Sequence, residues 1–559
     1  MAHPILKPLS AVGVLVAIGL LVTPVATAQP VSLAPTDGDG ALIIGIDRVF
    51  ARWNSATLPG CTVGLSRDGK DVITRAYGMA DLEHGVPNKP DSIIEAGSVS
   101  KQFTAAAVLL LVQQGKVSLD DAVRRYIPEL PDYGAPLTIR HILTHTSGLR
   151  DWGSIEGIVG WPRTSRAYTH AHVLDIVSRQ RALNFPSGSA YSYSNTGYNL
   201  AAILISRVSG RSFADFTREN LFEPLGMTRT SWRDDFTRVV RDRSIAYSVS
   251  ATGVATMDMP FENVHGNGGL LTTVGDLLRW NDNAITGKVG GRALIDLQRQ
   301  TMKLTDGSSI EYAFGLRISN WDGVPEVAHS GSTAGYRAWL GQYPTKGWMS
   351  VAVLCNAANA SPTALGHDVA HLAMAGKQPV VRIGDYAISP EPMLTPFIGL
   401  FLDRRRNDVV DVVLADHQLR TDNLGVLMFA NKNKLGTAGS GTLEFERDAN
   451  GKAVRMRMVG AEVVDFDRVE KASPTAAELD QYAGEYTSDE AELTLRVAVE
   501  NGALVIRRRP DTTFTLAPTY KDAFTSDLGG IRFLRDRKGA ITEMSISVDR
   551  VWDLRFKRK

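Results

Sequence analysis

Several features that mark whole protein classes are missing from this chain. It carries 2 cysteines in 559 residues, too few for a disulfide framework or a thiolate zinc site. Neither sign of charge dominates: 61 Lys and Arg stand against 60 Asp and Glu, a net charge of +1. That excludes both the basic field that holds nucleic acid and an acidic tail. Beyond the first 28 residues no run is long and apolar enough to span a bilayer, so no membrane contact is expected of the mature form. There is no Gly-x-Ser-x-Gly elbow, which counts against an α/β-hydrolase. What is present is ordinary globular composition, 44% hydrophobic and 22% charged. That composition excludes wholesale disorder, and the length leaves room for two to four domains.

The N-terminus reads as an export signal over residues 1–28. Lys7 is its fixed charge, Ala11 to Val22 is apolar, and Ala26-Thr27-Ala28 is a small-x-small cleavage site. The apolar core is short for a membrane span, and cleavage after Ala28 is favoured over a signal anchor. No cysteine follows the site, which excludes a lipoprotein anchor. A periplasmic or secreted protein is expected. Export changes what Cys61 and Cys355 mean, because disulfides persist outside the cytosol. Both lie in strand-like runs. A bridge between neighbouring strands and two buried free thiols both fit.

Residues 29–40 are rich in Pro, Gly and Asp and read as a flexible lead-in. Helical spacing of apolar residues covers 41–54, and 104–114 is an Ala- and Leu-rich run expected to be a buried helix. Strand-like runs fall at 61–65 and 72–77, then at 314–318, 337–343 and 349–354. Strands at both ends with helices between them predict an α/β (α+β) sandwich whose antiparallel sheet is built from both termini of the domain. Beyond about residue 385 short alternating runs dominate, and a repeat emerges. Leu394-Thr-Pro-Phe397-Ile-Gly399-Leu-Phe401 matches Leu479-Asp-Gln-Tyr482-Ala-Gly484-Glu-Tyr486, 85 positions on, and Phe445-Glu-Arg447 matches Phe533-Leu-Arg535, 88 positions on. Two small antiparallel all-β, barrel-like modules are expected, at 385–472 and 473–559, after a unit spanning 29–384. Structural support is the simplest reading of both modules.

Three short motifs carry chemistry. Ser98-Val-Ser-Lys101 opens the buried helix, which puts hydroxyl and amine on one face. A serine hydroxyl needs a neighbouring base, and a lysine serves only when burial or another cation keeps it neutral. Alone, the motif also fits a helix cap beside a solvated lysine. Tyr193-Ser-Asn195 lies in a Gly/Ser/Tyr-rich loop. A tyrosine near two amines could hold a lowered pKa and take a proton, and the asparagine could bind a substrate amide and Lys101. His329-Ser330-Gly331-Ser332 is read as the start of a strand. Gly331 would let substrate backbone approach, and the amides of Ser332 and Ser98 could form an oxyanion hole.

In this order the three motifs resemble the serine β-lactamase and penicillin-binding-protein superfamily, in the branch with class C β-lactamases, D-aminopeptidases and related esterases. Leu137-Thr-Ile-Arg-His-Ile-Leu-Thr-His-Thr-Ser-Gly148 and Gly266-Asn-Gly-Gly-Leu-Leu-Thr-Thr273 agree, and the likeness covers residues 41–375. The resemblance implies Ser98 as acylated nucleophile and Lys101 with Tyr193 as shared general base. It implies Asn195 on the substrate amide, His329, Gly331 and Ser332 in substrate binding, and no metal or organic cofactor. His141 and His145 mimic a zinc pair at i, i+4, but holding their loop is the favoured reading. His329 stands where β-lactamases carry a lysine that meets a substrate carboxylate. A mostly neutral histidine there weakens carboxylate recognition. The expected substrates are therefore small peptides and amides, as for a D-aminopeptidase or amidase. Esters or β-lactams, through an esterase, weak β-lactamase or D,D-peptidase, are the alternatives. A penicillin- or peptidoglycan-binding module is the non-enzymatic one. D-aminopeptidases of this branch resemble the whole layout, including a barrel loop that reaches the active site. Here Pro510 to Gly530, with Tyr520, Lys521, Asp522 and Asp527, is the expected loop. The oligomeric state is left open.

Overall fold

The structure, a computed structural model, describes residues 39–163, 165–375, 391–422, 424–431, 433–436, 441–460 and 463–559. The expected export signal, most of the lead-in and the expected boundary near 384 lie outside the described residues. A six-stranded antiparallel sheet forms the centre of the first unit. Its strands are β1 (Cys61–Arg67), β2 (Lys70–Tyr77), β3 (Arg317–Trp321), β4 (Val324–Thr333), β5 (Tyr336–Tyr343) and β6 (Met349–Cys355), in the order β3-β4-β5-β6-β1-β2. The sheet is thus assembled from both ends of the unit, as the sequence pattern predicts.

Successive side chains of a strand point to opposite faces, and β6 is apolar on both. Val351, Val353 and Cys355 pack with Ile46, Phe50 and Val369 of helices α1 (Asp39–Val49, with Phe50 just after it) and α6 (Pro362–Ala375). Ala352 and Leu354 join the opposite core, made with α2 (Lys101–Gln113) and α5 (Val274–Thr286). Two further helices lie on that side, α4 (Asn195–Ser209) packed on α2 and α3 (Trp152–Val159) packed on α4. Cys61 and Cys355 stand opposite each other in the β1–β6 register and form a disulfide, which decides between the two readings of the sequence.

One strand boundary differs from expectation. The run at 314–318 is not a strand from its start, because Gly315 adopts φ +76° and packs its backbone against Lys101 and Gln102. Extended structure begins at Arg317, and His329 falls in the middle of β4 rather than at a strand start.

Two closed eight-stranded antiparallel barrels follow. The first comprises β7 (Gly399–Asp403), β8 (Asp408–Ala415), β9 (Gln418–Thr421), β10 (Gly425–Asn431), β11 (Lys434–Gly436), β12 (Thr442–Arg447), β13 (Ala453–Val459) and β14 (Val463–Val469). The second comprises β15 (Gly484–Ser488), β16 (Leu493–Glu500), β17 (Ala503–Arg508), β18 (Thr512–Pro518), β19 (Ala523–Ser526), β20 (Gly529–Arg535), β21 (Ile541–Val548) and β22 (Val551–Arg558). The repeated residues form the same core in each. Phe445 packs edge-on against Phe397 and Phe401, with ring centroids at 4.9 and 5.7 Å. Phe533 takes the same place in the second, tilted against Tyr482 at 4.6 Å and edge-on to Tyr486 at 5.6 Å.

The barrels attach differently. The core of the second is continuous with the apolar core around α2, whereas that of the first is a separate cluster. Trp552, at the start of β22, lies 5.1 Å from the Phe185 ring, and its backbone N–H donates to Asn184 at 2.8 Å. Arg150 is buried at the junction. It donates to the carbonyls of Trp552 and Asp553 and to Glu490 at 2.5 Å. The first barrel instead leans on the second: the Arg406 guanidinium lies 4.9 Å over the Trp552 ring, and Tyr520 donates to Asn407.

Candidate active site

Ser98 lies in a single helical turn, Gly97–Ser100, that leads directly into α2. That turn is pressed against β4. A β-carbon on Gly97 would sit 2.5 Å from the Ser332 amide nitrogen, and one on Gly331 would sit 2.0 Å from the Ala96 carbonyl oxygen and 2.9 Å from the Ser98 amide nitrogen. Only glycine at both positions allows the approach, which brings the Ser98 and Ser332 amides to one narrow space.

Lys101 begins α2 and is fully buried. Its Nζ lies 2.9 Å from Asn195 Oδ1, 2.6 Å from the Asn267 carbonyl and 3.0 Å from Ser98 Oγ. No carboxylate of the described residues pairs with it. Burial, with the nearby guanidiniums of Arg163 and Arg550, holds its pKa well below that of an ordinary lysine. A neutral amine fits these partners: two N–H groups donate to the two carbonyl oxygens, and the lone pair faces the Ser98 hydroxyl. Asn195 is held in turn by Asp151, whose Oδ2 accepts the Asn195 backbone N–H at 2.6 Å and whose Oδ1 caps α3 through Ser154 N–H at 3.0 Å.

Lys101 Nζ and the Arg550 guanidinium each lie 4.9 Å from the centre of the Tyr193 ring. The expectation of a lowered tyrosine pKa is corrected here. Burial pushes Tyr193 up to about 12, and its hydrogen bond with Ser98 and the charges of Arg550 and Arg163 offset only part of that. It is a protonated phenol near neutral pH. His329 is also neutral. Burial, and then the Lys101 charge, push it down to about 3. Both of its nitrogens are occupied, Nε2 by Tyr312 OH at 2.8 Å and Nδ1 by the Ser330 carbonyl at 2.6 Å.

Ser98, Lys101, Tyr193, Asn195, His329, Gly331 and Ser332 are therefore brought together, and all but Lys101 line one cleft of about 840 Å³. His141 and His145 are not. His141 completes a capping box with Thr138, while His145 is buried with its Nδ1 accepting from Ser194 N–H at 3.1 Å and its ring 4.2 Å from that of Tyr193. Among the described residues the one grouping with metal-ligand geometry is half-buried Asp81 with exposed Glu83 and His84, none of which lines this cleft.

The expected barrel loop is also corrected. Within Pro510–Gly530, Tyr520 bonds the first barrel, Asp522 pairs with Arg535 at 2.7 Å and accepts from Tyr482 OH, Lys521 is exposed, and Asp527 lines a groove with Ser154 and Ile158. None of these lines the cleft. The segment that does is the two-residue turn Asp549-Arg550 between β21 and β22, through Arg550. Asp151, Asn267 and Arg550 were not singled out from sequence, and His145 was read only as holding its loop. Asp151 precedes an apolar helical pattern and so has a capping signal. Arg550 has none, because it sits in a turn of ordinary composition.

Residues 46–374 match the family model described as Beta-lactamase. A D-aminopeptidase of Brucella anthropi is 24% identical over 87% of this chain and 93% of its own length. Another, from Cereibacter sphaeroides, is 28% identical over 61% of this chain and 66% of its own. Against the first curated relatives the chain spans about half to two thirds of their length. Among solved structures, an octameric penicillin-binding protein homologue from Pyrococcus abyssi aligns with TM-score 0.54 and 25% identity, over 77% of this chain and all of that one.

Proposed function

The chain belongs to the beta-lactamase family, and from that premise we propose that it is an exported serine hydrolase that cleaves D-amino-acid amides or short peptides through an acyl-enzyme on Ser98. The observation that carries this is the buried amine of Lys101, 3.0 Å from Ser98 Oγ, with two carbonyl oxygens on its N–H groups and no carboxylate. The D-aminopeptidase relatives support the substrate class, and the cross-strand disulfide supports export.

Ser98 Oγ attacks the substrate carbonyl carbon while its proton passes to neutral Lys101 Nζ. The developing oxyanion meets the amides of Ser98 and Ser332. The C–N bond breaks as the leaving nitrogen takes a proton from Lys101, directly or relayed by the Tyr193 hydroxyl. Neutral Lys101 then takes a proton from water, which attacks the Ser98 ester. Collapse releases the carboxylic acid and returns the proton to Ser98 Oγ. Asn195 holds Lys101 and offers its amide N–H to the substrate. Tyr193, with its pKa near 12, serves as a proton donor rather than a standing base.

Intact mass of the mature protein after a fluorophosphonate probe tests the nucleophile. One adduct is expected, absent in Ser98→Ala; an equal adduct on the alanine variant overturns the assignment. D- and L-amino-acid p-nitroanilides then rank stereochemistry, and equal turnover removes the D-selective part of the reading.

A further inference from the structure

The cleft wall formed by the second barrel carries a cation with unused donors. The Arg550 backbone is pinned, its carbonyl accepting from Asp151 N–H at 3.2 Å and from the Asn184 side chain at 3.1 Å. Its guanidinium lies over Tyr193, whose ring also covers Lys101 Nζ. The carboxylate that pairs with it is Asp549, at 3.3 Å, with the Arg550 side chain 35% and the Asp549 side chain 84% exposed. Such an exposed pair is weak and readily exchanged.

The other arginines of the cleft are engaged. Arg163 donates to buried Glu262 and Arg337 to the carbonyls of Ala334 and Tyr336, while Arg317 has an exposed pair with Glu311 at 3.2 Å and, unlike Arg550, does not lie over the Tyr193 ring. His329 is tied at both nitrogens and offers no charge. A guanidinium presents a planar fork of donors that fits a carboxylate, and it repels an ammonium group.

We infer that Arg550, delivered by the second barrel, is the specificity residue of this cleft and anchors a free carboxylate of the substrate. The inference rests on the reading of Ser98 as nucleophile for its catalytic arm only. Within the proposed class it favours short peptides and N-acylated amides that carry a free carboxylate over D-amino-acid amides that carry none. The carboxylate could lie on the leaving side, as at the end of a D-dipeptide, or on the acyl side, as in a succinylated amide. In either position it exchanges with Asp549 on the same fork.

Two matched pairs separate those sources: N-acetyl-D-Ala-D-Ala against its carboxamide, and succinyl-D-Ala p-nitroanilide against the acetyl compound. In the full chain, kcat/KM is expected to favour the acidic member of one pair by about tenfold to a hundredfold, the range of a charge-assisted contact. Arg550→Ala should collapse that ratio, and Arg550→Lys should restore part of it. Calorimetry with Ser98→Ala gives an arm independent of catalysis: the acidic member should bind, and Ser98→Ala with Arg550→Ala should bind it at least tenfold more weakly. Equal use of acidic and neutral members by the wild type, or a ratio unchanged by Arg550→Ala, overturns the inference. Binding that depends on Arg550, in a protein whose Ser98 takes no probe, supports the inference while removing the acyl-enzyme reading.

Discussion

The two barrels are built alike and placed differently. Each closes eight antiparallel strands around the same aromatic trio. In each, a late arginine also lies over a core ring: Arg468 over Phe401 and Arg558 over Tyr486. Yet among the described residues only the second shares its apolar core with the first unit, and its last hairpin turn alone of the barrel turns lines the cleft. In sequence the first barrel's last hairpin carries Gly460-Ala-Glu462 where the second carries Asp549-Arg550. A duplicated scaffold can therefore keep its core residues while its two copies differ in the turn that meets the first unit. Core packing fixes the barrel, and the turn is free to vary.

The largest expected effect comes from cutting the second barrel's anchor. Arg150→Met removes the partner of Glu490 and of two carbonyls at a junction where the Arg150 side chain is 2% exposed. Breaking such a pair costs about 3–5 kcal/mol. Thermal denaturation should show a lower Tm, and activity on the acidic substrates should fall with it. An unchanged Tm would break the claim that this barrel is part of the catalytic body.

A paired substitution sharpens the contrast. Phe445→Ala and Phe533→Ala each empty an equivalent core site, at about 3–5 kcal/mol. Calorimetry should show Phe445→Ala melting the first barrel in its own early transition, with kcat/KM within twofold of the parent. Phe533→Ala should lower the main transition and activity together. Equal loss of activity in both variants would erase the distinction.

A smaller effect separates the charge of Arg550 from its docking. Lys101 must be neutral to act, and cations nearby help to keep it so. Arg550→Ala removes one of them, so Lys101 binds its proton more readily and the acid limb of kcat/KM should move to higher pH. No histidine limb is expected between about pH 5 and 8, because His329 stays neutral down to about 3. A limb that stays in place in Arg550→Ala would show that this charge does not reach Lys101. The smallest effect is on stability in mild acid. His329 is folded with a pKa near 3 and unfolds to an ordinary value near 6.5. The unfolded chain thus binds the extra proton, and stability falls as pH drops from about 6.5 toward 3. His329→Gln should flatten part of that fall in chemical denaturation.

Much of this was legible in the residues. Strands at both ends of the first unit, the buried helix after Ser98 and the repeat at offsets of 85 and 88 come from periodicity and spacing, which local burial imposes on any sequence. Ser98 and Lys101 stand one helical turn apart, as a hydroxyl and its base require, but it was the order of the three motifs and the family resemblance that singled out all four of Ser98, Lys101, Tyr193 and Asn195. The start of β3, the raised pKa of Tyr193 and the location of the barrel's contribution could not. Each depends on what packs against a residue from far along the chain: Gly315 against Lys101, burial around Tyr193, and Asn184 and Asp151 against the carbonyl of Arg550.

The sequence by itself determined the candidate catalytic residue types, the sheet shared by both ends of the first unit and the doubling of the β module. Only the tertiary structure decided that Cys61 and Cys355 are bridged, that His329 is closed off by Tyr312 and Ser330, and that Arg550 rather than the 510–530 stretch reaches the cleft. The reason is physical. Periodicity and spacing are local properties of a chain, whereas charge, desolvation and reach at a site are set by the elements that close around it.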